Sequence, residues 1–224
     1  LIDGKETLNQ DIIRPLDNPI YKEGSLAVLK GNLAPDGCVI KPAACEKKFL
    51  KHKGPVIVFD SYPEMSKIID SDDLDVSENH VLVLRNVGPI GGPGMPEWGM
   101  IPIPKKLLKK GIRDMVRISD ARMSGTSYGA CILHVAPESY IGGPLSLLKT
   151  GDIVEIDVNK RSINMLVDDQ TLQKRKSNLV QKKPKAGRGW LWMYSNHVKQ
   201  ANEGCDFDFL ETDFGNSAKE PDIF

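Results

Sequence analysis

The sequence lacks most of the features by which function is commonly read. No hydrophobic run approaches the roughly 18 apolar residues of a membrane-spanning helix, which argues against a helical membrane protein. It has no excess charge of either sign. Thirty Lys and Arg balance thirty Asp and Glu, so no global field draws in nucleic acid or anionic lipid. Cysteines are few, at positions 38, 45, 131 and 205, with no CxxC and no zinc-finger spacing. They read as small buried side chains of a reducing compartment. There is no G-x-S-x-G elbow, which weakens a hydrolase reading. The stretch 88–94 lacks the G-K-[ST] ending of a phosphate loop. Internal repeats, low-complexity tracts and a secretory leader pattern are missing too.

What remains is an ordinary globular composition: 224 residues, 40% apolar and 27% charged. A chain this long can bury roughly 70% of its unfolded surface without staples. The opening Leu1-Ile2-Asp3-Gly4-Lys5 reads like the middle of a longer chain, so a processed or truncated product is expected.

Residues 1–24 are polar and rich in turns, and are expected to form an interdomain linker or arm. Strands are predicted over 25–30, 38–41, 55–59, 80–84, 114–118, 130–135 and 153–158, with 161–166 as the hairpin partner of the last. Helices are predicted over 62–70, capped by Asp60 or Ser61, over 104–110 with Gly111 as stop, and over 144–149. A charged helix capped by Asp168 and Asp169 is expected over 170–178. A basic linker follows over 181–189. A last helix over 190–201 would place Trp190, Met193, Tyr194, His197 and Val198 on one face. Several strands lack crossover helices, which favours a mixed β barrel or sandwich with peripheral helices over a doubly wound sheet. The expected division is a barrel-like domain over 25–180, a linker and C-terminal helix over 181–214, and a tail over 215–224.

Two loops carry candidate chemistry. The first, 88–99, holds five glycines and three prolines around a single carboxylate, Glu97. Such a carboxylate suits Mg²⁺ or Ca²⁺, which prefer oxygen ligands; capping a helix or pairing with Lys105 is the plainer alternative. Trp98 reads as a packing residue. The second, 119–129, holds Asp120, Arg122, Ser124, Gly125 and Tyr128 between two buried strands. Ser124 is either a turn hydroxyl or a base whose alkoxide a neighbour stabilises. His134 and Glu138 lie nearby in sequence; His134 reads first as a core histidine. A small metal-dependent hydrolase would need at least three ligands in one pocket.

These loops resemble the C-terminal part of the dihydroxy-acid and phosphogluconate dehydratase family, with the sugar-acid (arabinonate and xylonate) branch most alike. The matching segments are GNLAPDG at 31–37, VLVLRNVGPIGGPGMPEWGM at 81–100, DMVRISDARMSGTSYG at 114–129, HVAPES at 134–139, GGPLSLLKTGD at 142–152 and EGCDFDFL at 203–210. Ala121 and Met123 are the departures that favour the sugar-acid branch. The resemblance implies a mixed β and α fold: a swivelling β/β/α barrel-like domain with flanking helices, similar to the C-terminal domain of the aconitase group. It implies a hydro-lyase whose Glu97 binds Mg²⁺ and whose Ser124 takes the C2 proton. Asp120, Arg122, Ser124 and Gly125 would contact a small acidic substrate or shape its loop. It further implies an iron–sulfur cluster, [2Fe–2S] or [4Fe–4S], held by an N-terminal domain, since the four cysteines here do not match the family's cluster ligands. A homo-oligomer is expected, in the cytoplasm, or in mitochondria for a eukaryotic source. The rival expectation is a non-catalytic domain that regulates a full-length dehydratase. By the same resemblance, the 224-residue chain alone is expected to be inactive.

Overall fold

The computed structural model describes residues 5, 7–20, 22, 24–180, 182–183 and 186–210. The tail expected over 215–224 lies outside the described residues. Residues 7–20 are exposed and form no strand or helix.

Eight short strands form one curved sheet. They are β1 (Ala27–Leu29), β2 (Gly37–Ile40), β3 (Lys51–Phe59), β4 (Val81–Leu84), β5 (Arg117–Ser119), β6 (Cys131–Ala136), β7 (Ile153–Asp157) and β8 (Ser162–Met165). Their spatial order is β1-β2-β6-β5-β4-β3-β7-β8. The central four, β6, β5, β4 and β3, run parallel, and the outer strands pair antiparallel. A single parallel bridge, Lys30 with Ser162, joins the two ends of the sheet into a nearly closed barrel. There the Lys30 amide donates to the Arg161 carbonyl at 2.9 Å, and the Ile163 amide donates to Lys30 at 3.1 Å. Closure removes the exposed strand edges that invite pairing with other chains.

The sequence pattern explains the barrel interior. Val81, Leu82, Val83 and Leu84 form an unbroken apolar run and are fully buried, as befits a parallel strand covered on both faces. Leu29, Ile118, Val154, Ile156 and Ile163 complete the core. Each such side chain contributes about 1.5–3 kcal/mol on full burial.

Helices pack outside the barrel. Ser61 caps α1 (Tyr62–Ile68), its hydroxyl accepting from the Glu64 amide, while the Glu64 carboxylate accepts from the Asp60 amide at 3.0 Å. This reciprocal pair satisfies two N-terminal donors. The α2 helix (Lys105–Lys109) is brief and is stopped by Gly111. Asp168 caps α3 (Asp169–Ser177) through the Thr171 amide at 2.8 Å, with Lys174, Arg175 and Lys176 in the last turn, where the helix dipole favours cations. The α4 helix spans Gly189–His197.

Four expectations need correction. β3 begins at Lys51 rather than Pro55, because Lys51–Pro55 pairs with β7 whatever its polarity. β5 starts at Arg117, not Asp114: the Asp114 carboxylate takes the Met115 and Ala130 amides that a longer ladder would use. The helix expected over 144–149 is a single 3₁₀ turn, Pro144–Leu147. α4 ends at His197, and its inward residues are Ser195 and the following Val198; Trp190 is 81% exposed.

Candidate functional site

The loops that follow β4, β5 and β6 all leave the C-terminal ends of parallel strands, where open α/β sheets usually place their ligands. Loop A (88–99) follows β4, and loop B (120–130) connects β5 to β6 without a helix.

Their bases are framed by buried polar groups. Asp120 directly follows β5 and has no solvent exposure. Its carboxylate accepts from the amides of Asn86, Val87 and Ser139 at 3.3, 3.1 and 2.9 Å, and from the Ser139 hydroxyl at 2.5 Å. Burial holds its pKa above the ordinary carboxylate value, against these hydrogen bonds. Glu138, equally buried, accepts from the Ile90 and Gly91 amides at 2.8 Å each and so braces the glycines of loop A. Burial raises its pKa as well. Gln200 completes this brace, donating to the Glu138 carboxylate and accepting its amide.

A third buried unit anchors the far end of loop B. The Arg117 guanidinium donates to Asp114 at 3.1 Å and to the carbonyls of Met115, Ile101 and Tyr128. Gly129, at φ +96°, lies against it. A Cβ there would fall 1.9 Å from an Arg117 nitrogen, so only glycine fits.

The exposed rim carries the candidate reactive groups. Glu97 and Arg122 form an ion pair at 2.7 Å, each side chain about half exposed (47% and 48%). The Arg122 carbonyl also accepts from the Gly99 amide at 2.7 Å. Loops A and B are therefore stitched together two residues from Glu97 on one side and two from Ser124 on the other. Ser124 is half-buried, its hydroxyl 3.0 Å from that of Thr126. Gly125 is exposed, and its carbonyl accepts from Lys41 at 2.7 Å.

The structure thus brings Glu97, Arg122, Ser124 and Gly125 to one rim and separates Asp120 from them. Asp120, expected to contact a small acidic substrate or shape its loop, is buried here, and its carboxylate binds the amides at the loop bases. Glu97 pairs with Arg122, whereas Lys105 pairs with Asp70 at 2.7 Å. Trp98 packs, stacking on Tyr62 with centroids 4.7 Å apart. Burial, and then the Arg122 charge, lower the pKa of His134. A cavity of about 590 Å³ at the same end of the barrel is lined by Asp60, Arg85, Asn86, Tyr140 and Lys182, and excludes the rim groups. Lys41 is a loop support that the sequence did not point to, and Glu138, noted only as a neighbour of Ser124, braces loop A. Their partners lie 84 and 47–48 residues away, where no local spacing reveals them.

The cysteines do not fit a metal cluster. Burial pushes the Cys38 thiol up to about 12 and those of Cys45 and Cys131 up to about 11, so they rest as neutral, packed side chains. Among the described residues no three His, Cys, Asp or Glu side chains converge on a metal position. Glu97, the carboxylate that the resemblance assigns to Mg²⁺, is half-exposed and paired with Arg122; Mg²⁺ commonly takes one or two protein carboxylates beside other oxygen ligands.

Comparison with known proteins places the chain. Residues 11–205 match the family described as dihydroxy-acid/6-phosphogluconate dehydratase, C-terminal. The 6-deoxy-6-sulfo-D-gluconate dehydratase of Pseudomonas putida is 51% identical over 218 residues, covering 96% of this chain but 37% of that protein. The L-arabinonate dehydratase of Rhizobium leguminosarum bv. trifolii is 43% identical over 209 residues, covering 93% and 36%. The dihydroxy-acid dehydratase of Clostridium beijerinckii is 42% identical over 208 residues, covering 92% and 37%. The chain spans little more than a third of the length of these relatives. It belongs to the dihydroxy-acid/6-phosphogluconate dehydratase family of hydro-lyases and corresponds to the family's C-terminal region.

Proposed function

We propose that this chain is the C-terminal part of a hydro-lyase that converts a 2,3-dihydroxy sugar acid to its 2-keto-3-deoxy acid. It supplies Glu97 and Ser124 to a site whose other half is an N-terminal domain. One observation carries the reading: Arg122, two residues before Ser124 on loop B, pairs with the loop A carboxylate Glu97 and accepts from the Gly99 amide, which joins the two loops at the C-terminal ends of the parallel strands. Among the described residues the rim offers one carboxylate, Glu97, and the neighbouring hydroxyls of Ser124 and Thr126 over a buried frame, which suits half of a site completed by another domain.

In this reading the Ser124 oxygen, as its alkoxide, takes the C2 proton while the C3–O bond breaks and the C3 hydroxyl leaves, protonated to water; the C2–C3 enol left behind then tautomerises to the 2-keto acid. Glu97 is one ligand of Mg²⁺, which when bound supplies positive charge for the substrate carboxylate and C2 hydroxyl. Arg122 holds Glu97 in place, and Gly125 leaves the approach to Ser124 open. Asp120 positions loops A and B from beneath. The iron–sulfur group that the resemblance implies would be held by an N-terminal domain. The sulfogluconate and arabinonate activities named for the relatives favour a sugar acid over a branched-chain dihydroxy acid.

The test is a chimera in which this chain replaces the matching region of the Pseudomonas putida relative. Turnover of 6-deoxy-6-sulfo-D-gluconate, arabinonate, xylonate and dihydroxyisovalerate is followed as 2-keto acid. Turnover of at least one sugar acid is expected, together with a Mg²⁺ requirement raised about tenfold or more in Glu97→Gln. A folded, cofactor-loaded chimera without activity on any of them overturns the reading.

A further inference from the structure

Lys41 follows β2 and reaches across to loop B. Its ammonium donates to the Gly125 carbonyl at 2.7 Å and to the Ser127 carbonyl at 3.3 Å. Among the described residues it has no carboxylate partner; its charge rests on two neutral carbonyls on either side of Thr126. The other side of the same peptide unit faces the serine. The Thr126 amide donates to the Ser124 oxygen at 3.4 Å. A trans peptide points its C=O and N–H in opposite directions, so the Gly125–Thr126 unit lies between the two groups as a single rigid dipole.

We propose that Lys41 is a positioning residue for Ser124, acting through the Gly125–Thr126 peptide, whose carbonyl it holds and whose N–H it thereby aims at the serine oxygen. This rests on the reading of Ser124 as the base. A hydrogen bond from an ionised donor is stronger than a neutral one, and it polarises the amide at the far end of the peptide. As Ser124 gives up its proton, negative charge grows on its oxygen. A donor already aimed there stabilises that charge without reorganisation. The 3.4 Å contact is long, and it tightens as charge develops. An ordinary turn anchor would fix the loop's shape. The relay adds a charge dependence that shape alone does not have.

The test uses the chimera described above and the 224-residue chain itself. In the chimera, Lys41→Met, which keeps the apolar stem and removes the charge, lowers kcat about tenfold to a hundredfold and leaves KM within about twofold. Lys41→Arg restores most of the lost kcat. In the 224-residue chain, the Thr126 amide proton resonance moves upfield in Lys41→Met and returns in Lys41→Arg. Should Lys41→Met fail to fold, Lys41→Gln, a donor without charge, carries the test and shows the same fall in kcat. An unchanged kcat in the neutral variants while Ser124→Ala is inactive overturns the relay and leaves the base assignment standing. So does a Thr126 resonance that ignores the charge at 41. Full activity in Ser124→Ala overturns the base assignment and the relay with it.

Discussion

The loops' two ends are built on opposite principles. At their bases, Asp114 with Arg117, Asp120 with Ser139, and Glu138, which a half-buried Gln200 holds, are buried and supplied with several partners each. At their tips, Glu97 and Arg122 meet in water, and Ser124 has only its own turn for company. The difference teaches where rigidity is placed. Buried polar groups must be satisfied or they cost several kcal/mol each, so they hold backbone in one arrangement. Exposed groups are cheap to leave open, and an open carboxylate and hydroxyl remain available to another domain, a metal ion and a substrate.

The contrast is broken most readily from the buried side. Asp114→Ala leaves Arg117 desolvated without its partner and frees the Glu46, Met115 and Ala130 amides. A loss of about 3–5 kcal/mol in urea unfolding is expected; a loss below about 1 kcal/mol would mean that the frame is not rigid.

Asp120→Asn is next, with an expected cost of about 1–3 kcal/mol, because an amide cannot accept from all four donors. It also carries a pH signature. The folded-state pKa of Asp120 is raised, so its contribution is fully present below the ordinary carboxylate pKa and is lost as pH rises through the folded value. Asp60, held low mainly by its hydrogen bond from Arg85, has the opposite sign: its contribution is present above the ordinary value and is lost as pH falls through the folded one. Unfolding measured from acid to neutral pH should therefore lose its Asp120-dependent decline in Asp120→Asn. The acid-side loss should disappear in Asp60→Asn. The same slope in both variants as in the unsubstituted chain contradicts the assignment.

The smallest effect belongs to the rim. Arg122→Ala removes a half-exposed ion pair and should change stability by about 1 kcal/mol or less. A loss as large as that of Asp114→Ala would place the rim within the frame and erase the contrast.

Much of this was readable in advance where the signal is local. Ser61 and Asp168 announce their helices by capping chemistry, and the 153–166 hairpin follows from β-branched runs around Asn159 and Lys160. Signals failed where tertiary contact overrides local pattern. The alternation Lys51-His52-Lys53-Gly54 does not look like a strand, yet β7 pairs with it. Trp190 looks like a packing residue and is exposed. At the site, glycine density drew attention to both loops and to Glu97 and Ser124, but carboxylate type does not reveal burial. The buried hydrogen bonds of Asp120 were therefore not legible, and Lys41 did not register because its partner is 84 residues away.

The most direct test of the account is the kcat of the chimera carrying Ser124→Ala, at saturating sugar acid and Mg²⁺ and with an unchanged unfolding midpoint. Loss of a proton-abstracting group at the rim is expected to lower it about a thousandfold. A rate within about threefold of the unsubstituted chimera would contradict the claim that this chain contributes the base.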